Sequence, residues 1–347
     1  MNDSSKPTTV DIDISVSFLR RRFVRWVLIA FAIFLLPYLF LRLTSNSRIL
    51  VRCDLPEVTV AESAITDNEP KEDASTIFRI ATWNIAHGRG AGDSNWEEGG
   101  DPKQKRIDEI ADKIRSFDAD VVVLNEVDFS ASWSGGNDQA EQIARKAGYP
   151  ICVKQANLDF GFLFGRWYFG NAILSRLPAS DCKIVQLQPL NQWESWLVGN
   201  KRGVSCAVEL RNKTKVSVVG LHLESRGEAI RVKQIDDVAR HLGMLSAPIV
   251  LAGDLNTTPS DLPNSQQDVD GVNAFDKMIL QTQFSYRPVS IEGSGDQNSS
   301  LMTYSTLQPK SVIDWVLLSH ELSLVDQKIV DTQLSDHRPV VATIELK

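Results

Sequence analysis

The chain is poor in the features that announce most metal and redox chemistry. It has four cysteines in 347 residues, Cys53, Cys152, Cys182 and Cys206. They form no C-x-x-C pair and no zinc-finger spacing, which removes finger-type zinc sites and dithiol redox motifs. Outside the cytoplasm a bridge such as Cys182 to Cys206 is permitted, although spacing does not dictate the pairing. No internal repeat occurs, so solenoid architectures are excluded. The body of the chain has no basic cluster of the kind that grips a DNA backbone, and the formal net charge is −7. Indiscriminate attraction to polyanions is therefore disfavoured, while a local basic rim beside a cleft is compatible with the balance. Long apolar runs are absent too, with one exception.

That exception is Trp26 to Leu41, which carries no charge and, with Phe23, Val24 and Leu43, approaches the roughly 20 residues needed to cross a bilayer. Residues 23–43 are read as a transmembrane helix, with Arg25 and Arg42 reaching to the two interfaces and Trp26 and Tyr38 suited to anchoring there. Arg20, Arg21, Arg22 and Arg25 crowd its N-terminal flank, whereas Arg42, Arg48 and Arg52 on the other side are diluted by acids. The denser positive flank assigns residues 1–22 to a cytoplasmic polar tail, with disorder expected over 1–19, and the rest of the chain to the outside. A cleaved signal peptide is the alternative, but its n-region would be long and only Leu43-Thr44-Ser45-Asn46-Ser47 follows in place of an A-x-A site. A buried globular helix fits less well a run that is apolar on every face. Cys53 lacks the small residues of a lipoprotein site before it. Residues 44–76, rich in Asp, Glu, Ser, Thr and Pro, read as a linker.

From Ile77 onward the composition is ordinarily globular, within a chain that is 43% hydrophobic and 23% charged. Apolar strands are expected at Ile77 to Asn84, Val121 to Leu124, Val204 to Leu210, Val216 to Leu221, Ile249 to Ala252, Val312 to Leu318 and Val340 to Leu346. Helices are expected after Asp101-Pro102, over residues 137–147 and over residues 228–244, with a short helical patch near Ala274 to Leu280. Residues 260–300 otherwise read as polar surface loops.

Polar residues gather where these strands end: Asn84, Glu126, His222, Asp254 with Asn256, and Asp336 with His337. The stretch that organises the rest is Pro248 to Pro259, an apolar strand that stops at Gly253 and presents an acid and an amide two residues apart. The same three residue types would serve an ordinary strand-end turn, so the remaining strand ends decide. Several strand ends at one sheet edge can build a single cleft. Glu126, Asp254 and Asp336 have no lysine or arginine at local spacing to neutralise them. Three carboxylates in one cleft call for a cation, and hard oxygen ligands beside amides select Mg²⁺ or Mn²⁺. Such an ion suits phosphoester hydrolysis, and His337 and His222 add imidazoles able to stabilise phosphorus-centred charge or exchange a proton. Asn84 and Asn256 would donate to the phosphate or hold the water.

The ordered set IATWN, LNEVD, GNAILSR, GLHLES, AGDLNTTP, IDWVLLS and LSDHRPV resembles the endonuclease/exonuclease/phosphatase superfamily over about residues 77–347. That superfamily includes deoxyribonucleases, apurinic endonucleases, sphingomyelinases and inositol polyphosphate phosphatases. The resemblance implies Glu126 as principal metal ligand with Asn84 and Asp336 near it, Asp254 as the carboxylate that orients or activates water, and Asn256 as the amide on the phosphate. It makes His337 the histidine beside the scissile phosphorus and Asp314 the acid that fixes its tautomer, a pairing with its own physical rationale. His222 is similar to a second histidine near the leaving oxygen, although a lone strand histidine is also often a core residue. Asn171 could touch substrate or cap a turn after Gly170. His87, His241 and His320 read as surface or structural. One departure stands out: where apurinic endonucleases carry an acid two residues after the first-motif asparagine, this chain has Ala86, which points toward the deoxyribonuclease or sphingomyelinase style of site.

The expected fold is α/β in the α+β sense, a four-layer α/β/β/α sandwich of two mixed sheets flanked by helices, over residues 77–347, behind one N-terminal transmembrane helix. The expected function is divalent-metal-dependent phosphoester hydrolysis, foremost of a phosphodiester, by in-line attack of water on nucleic acid or on a phospholipid or sphingolipid headgroup. A catalytically inactive module that holds a phosphate ligand or a partner in the same cleft is the alternative. No protein partner can be inferred; the membrane contact is the single helix.

Overall fold

The arginine-flanked apolar run is helical. In the computed structural model, which describes residues 10–44, 49–56, 76–162, 165–193, 195, 199–246, 248–287 and 301–347, helix α1 spans Val10–Thr44. Its Arg20–Phe40 part is long and apolar enough to cross a membrane, and Phe23, Trp26, Leu28, Phe31, Phe34 and Leu36 are all exposed along it. The helix starts well inside the segment expected to be disordered. Once a turn is nucleated, each added residue gains a backbone hydrogen bond, so helix propagates into Val10 to Leu19 despite its two aspartates. Residues 1–9 lie outside the described residues.

Chain from Ser47 to Lys347 forms a separate unit. Strands β1 (Leu50–Asp54), β2 (Ile77–Asn84), β3 (Val121–Ala131), β4 (Ile151–Phe162), β5 (Gly165–Ser175), β11 (Leu322–Ile329) and β12 (Val340–Leu346) make a seven-stranded sheet in the order β1-β4-β5-β3-β2-β12-β11. Strands β6 (Ala179–Gln186), β7 (Arg202–Glu209), β8 (Lys215–His222), β9 (Ile249–Asp254) and β10 (Asp314–Leu318) make a five-stranded sheet in the order β10-β9-β8-β7-β6. Both sheets are mixed: β2 with β3 and β8 with β9 run parallel, and the other described pairs antiparallel.

Alternation along the strands builds three apolar layers. Val122 and Leu124 face Ile107, Ile110 and Ile114 of α2 (Gly100–Ser116) and Ile143 of α3 (Gln139–Ala147). Val121, Val123 and Ile80 point the other way, into the seam between the sheets, where they share a core with Val218 and Val250. Val219 and Leu251 back onto Ile235 and Val238 of α4 (Glu228–Leu242) and Phe275 and Met278 of α5 (Ala274–Thr282). The result is the expected helix/sheet/sheet/helix sandwich. Caps agree with the sequence: Asp138 accepts from Glu141 N at the start of α3, and Gly148 closes it in the left-handed region at φ 80°.

The linker expected over 44–76 is shorter than the composition suggested. Leu50 to Asp54 pairs with Asp54 opposite Ile151 and Leu50 opposite Gln155, at the sheet edge. The reason is burial: Leu50 packs on the inter-sheet core, while Cys53 and Leu55 pack on the core beneath α2 and α3. Of the pairings that the sequence leaves open, Cys182 with Cys206 is the bridge present, and Cys53 and Cys152 are thiols.

Candidate active site

The two parallel pairs carry their chemistry to one edge. Register sets Asn84 beside Asn125 at the end of β2 and β3, and His222 beside Asp254 at the end of β8 and β9. Antiparallel β10 starts where β9 stops, so Asp314 faces Asp254. Two amides join the sheets at this edge: Asn84 Nδ2 donates to Asp254 Oδ2 at 3.0 Å, and the Asp254 backbone N–H donates to Asn125 Oδ1 at 3.0 Å. Gly253 is demanded by the close approach of β8, since a Cβ there would lie 2.0 Å from Leu221 O, at φ +144°. A break in pairing between Leu124 and Val127 turns Glu126 out of the ladder. Ala86, His87, Glu126 and Asn256 all have positive φ near 50°. Each such residue costs about 1 kcal/mol or more, and four of them cluster at this edge, as strained residues do at functional sites.

Asp254 is the centre of the constellation, 1% exposed. Burial pushes its carboxyl up. His337 Nε2 lies 3.8 Å from Asp254 Oδ2, and its Nδ1 is 2.9 Å from Asp314 Oδ2. Burial opposes the imidazolium, but Asp314, then Asp254, raise it to about 10. His222 Nε2 is 3.5 Å from Asp254 Oδ2 and 3.8 Å from Glu126 Oε1, and the Lys201 ammonium sits 2.7 Å from the same nitrogen. Burial and that ammonium push His222 well down. On the far side His87 Nε2 is 3.5 Å from Glu126 Oε2, with Nδ1 2.7 Å from Asp128 Oδ1. Arg89 spans two acids, at 3.1 Å from Glu126 Oε2 and 2.8 Å from Asp336 Oδ2. Burial works against the Glu126 charge, yet the His87 imidazolium and Arg89 hold its carboxyl well below the usual range. A cavity of about 310 Å³ opens beside Glu126, His87, His222 and Lys201 and extends past Phe169 and Leu190.

A family model described as Endonuclease/Exonuclease/phosphatase family matches residues 81–337. The chain belongs to this family. The solved endonuclease/exonuclease/phosphatase from Beutenbergia cavernae is 22% identical, with TM-score 0.59, covering 78% of this chain and 72% of that one. The human Nocturnin catalytic domain, solved with bound sulfate, is 16% identical, with TM-score 0.54 and coverage of 78% and 94%. ANGEL2, solved as a 2′,3′-cyclic phosphatase with adenosine-2′,3′-vanadate, is 18% identical, with TM-score 0.51 and coverage of 78% and 96%. At these identities the likeness is one of fold. No curated protein matches.

Endonuclease/exonuclease/phosphatase proteins hydrolyse phosphoester bonds and generally use a divalent metal. The donor set here fits such an ion: Glu126 Oε2 and Asp336 Oδ2 already converge on one cation, Arg89, and each carboxylate keeps a second oxygen off the guanidinium. Asn84 Oδ1 accepts only from Ala86 N and retains a lone pair. Among the described residues Asp254, Asp314 and His337 form the one group of three acid or imidazole side chains close enough to share an ion, but the His337 to Asp314 hydrogen bond commits it to orienting the imidazole.

Most expected site residues meet at this edge: Asn84, Glu126, His222, Asp254, Asp314, Asp336 and His337. Asn256 is adjacent, but its amide donates to Leu223 O at 3.0 Å and its backbone N–H to Asp254 Oδ1 at 2.9 Å, so it braces the turn. Asn171 departs from its expected substrate contact. Fully buried, it accepts from Asn125 Nδ2 and donates to Gln155 Oε1 and Arg202 O, which uses its whole amide behind the site. No lysine or arginine stands at local spacing from the acids, but the fold brings Arg89 onto both Glu126 and Asp336 from a distance in sequence. His87, assigned to surface or structure, is an active-edge residue backed by Asp128. His241 and His320 do stay outside, one bonded to Ser205 Oγ and the other exposed. Lys201 lies in no motif, and Asn125, although inside LNEVD beside Glu126, was given no role there; His87-Gly88-Arg89-Gly90 lies in the glycine-rich run after β2.

Proposed function

We propose that the domain hydrolyses phosphodiesters with Mg²⁺ or Mn²⁺, by in-line attack of water on phosphorus. The observation that carries this reading is the convergence on Asp254 of His337, backed by Asp314, with Glu126 and Asp336 alongside. Glu126, Asp336 and Asn84 would hold the ion, which supplies Lewis acidity toward the phosphoryl oxygens. The chain's own groups do the rest. Asp254, its carboxyl raised by burial, orients the attacking water and accepts its proton. His337, kept protonated by Asp314, donates to a non-bridging oxygen as charge builds there. Asn84 holds Asp254 in place, and the Asn256 turn fixes its other oxygen.

Helix α1 fits a single membrane span with the arginine-rich end in the cytoplasm and the domain outside; the exposed apolar faces of Arg20–Phe40 support the span, and the arginine-rich flank supports the orientation. The substrates that suit such a cleft are nucleic acid and a phospholipid or sphingolipid headgroup. The test is turnover of bis-p-nitrophenyl phosphate, plasmid DNA and sphingomyelin by the full-length chain in detergent, with Mg²⁺, Mn²⁺ or chelator, beside His337→Ala. Chelator-sensitive turnover that the variant loses supports the reading, and the preferred natural substrate separates the two classes. Turnover that survives chelator, or that His337→Ala retains, refutes it.

A further inference from the structure

Lys201 lies just before β7, outside every motif, and its ammonium forms the inner wall of the cavity beside Glu126. Nζ donates to His222 Nε2 at 2.7 Å and to Leu223 O at 2.8 Å. Burial pulls Lys201 below the ordinary lysine value while the carboxylates of Asp254 and Glu126 oppose that shift; as an ammonium it has three N–H donors and no acceptor, so the Nε2 lone pair then accepts, the ring proton sits on Nδ1, and Lys201 keeps one further donor. His222 Nδ1 is buried without a hydrogen-bond partner, and so is Asn200 Oδ1 on the same cavity wall. An imidazole engaged in this way presents no N–H from Nε2 toward charge forming in the cleft. The ammonium does.

We propose that Lys201 binds the leaving-group oxygen of the phosphoester, with His222 as its positioning residue, and that the cavity beside it receives the leaving moiety. This rests on the phosphodiester-hydrolase reading above. In the step, water oxygen forms a bond to phosphorus while the bond to the leaving oxygen breaks and its electron pair stays on that oxygen. The water proton passes to Asp254. Lys201 keeps its own proton and hydrogen-bonds the departing oxyanion, which then takes a proton from solvent. A volume of about 310 Å³ is at the small end of ligand pockets, which suits one ring-sized group with an apolar face for Phe169, not a duplex. Phe169 and Leu190 supply the apolar part of the wall.

The experiment uses the full-length chain in detergent with Mg²⁺ and a series of methyl aryl phosphates whose phenols span weak to strong acids. Wild type, Lys201→Met, Lys201→Arg and His222→Ala are compared. Loss of a donor aimed at developing charge costs about 100-fold or more in kcat, so Lys201→Met is expected to lose about that on the least acidic phenols and far less on p-nitrophenol. The plot of log kcat against phenol pKa steepens, KM moves less than kcat, and Lys201→Arg recovers part of the loss. A structural role lowers every substrate equally, and parallel plots overturn the proposal. If wild type turns over none of the series, the hydrolase reading fails on its own terms. Calorimetric binding of inorganic phosphate then decides about Lys201: tenfold weaker binding by Lys201→Met upholds an anion site there, and unchanged binding overturns it.

Discussion

Replacing Arg89 by methionine removes the guanidinium that joins Glu126 to Asp336 while keeping most of the aliphatic stem. The side chains of Arg89, Glu126 and Asp336 are 16%, 24% and 14% exposed. Removing one partner from a fully buried pair costs about 3–5 kcal/mol, and from an exposed pair about 0–1 kcal/mol. Partial exposure with two acids left unneutralised puts the metal-free cost at about 2–3 kcal/mol. For a unit spanning Ser47 to Lys347 that lowers Tm by about 3–5 °C. A divalent ion supplies the missing positive charge, and a ligand of the native state stabilises in proportion to the logarithm of its occupancy. Saturating Mn²⁺ is therefore expected to raise the Tm of Arg89→Met by several degrees more than that of wild type. Differential scanning calorimetry with chelator and then with Mn²⁺ reads both numbers. A metal-free variant that melts with wild type refutes the claim that Arg89 neutralises the acids. A deficit that saturating metal leaves unchanged refutes the claim that the same acids serve the ion.

Asp314→Asn removes the main group raising His337, so the imidazole is expected to fall from about 10 toward its ordinary 6.5, and kcat to fall about 100-fold or more. Because the folded value lies above the unfolded one, the stability contributed is complete below about pH 6.5 and is lost as pH rises through about 10; histidine NMR and urea titrations of metal-free protein should show that slope in wild type and a flatter one in the variant. Asn171→Leu orphans Asn125 and Gln155, so urea unfolding should show a loss of about 1–3 kcal/mol with KM within about threefold of wild type; an unchanged stability with raised KM would return Asn171 to the substrate. A chain begun at Ile77 leaves the β4 edge uncovered and Leu55 missing from its core, and should associate or melt several degrees lower than one begun at Ser47, as sedimentation and calorimetry would report.

The sandwich and its site were legible where one residue type answers to one local cause. Val121 to Leu124 is apolar without interruption because both its faces are covered, by α2 and α3 on one side and the second sheet on the other. Asp254 follows Gly253 because the backbone can pass Leu221 O only without a Cβ. What escaped the sequence depends on which strand end lies beside which. Arg89 is five residues beyond Asn84, and nothing in its spacing shows that β2 runs parallel to β3 and so delivers it to Glu126 and, from a distant loop, Asp336. His87 reaches Glu126 through two consecutive left-handed residues, a geometry that Ala86-His87 does not favour locally. Asn171 differs in the other direction: its sequence left a substrate contact and a turn cap open, and the pairing of β5 with β3 and β4 enclosed it.

Arg89 also changes the argument for the metal. The sequence suggested an ion because the acids lacked a neutraliser at local spacing, and the fold supplies one from a distance; the charge balance of the assembled edge replaces that premise. Five carboxylates, Glu126, Asp128, Asp254, Asp314 and Asp336, share the edge with two side chains that are cations in their ordinary form, Arg89 and Lys201. That leaves three negative charges with both raised histidines, His87 and His337, neutral, and one with both protonated. Burial penalises such an excess wherever the dielectric is low. A divalent ion held by Glu126 and Asp336 would cancel most or all of it, and the phosphodiester proposed as substrate would add negative charge that His337 and Lys201 would meet.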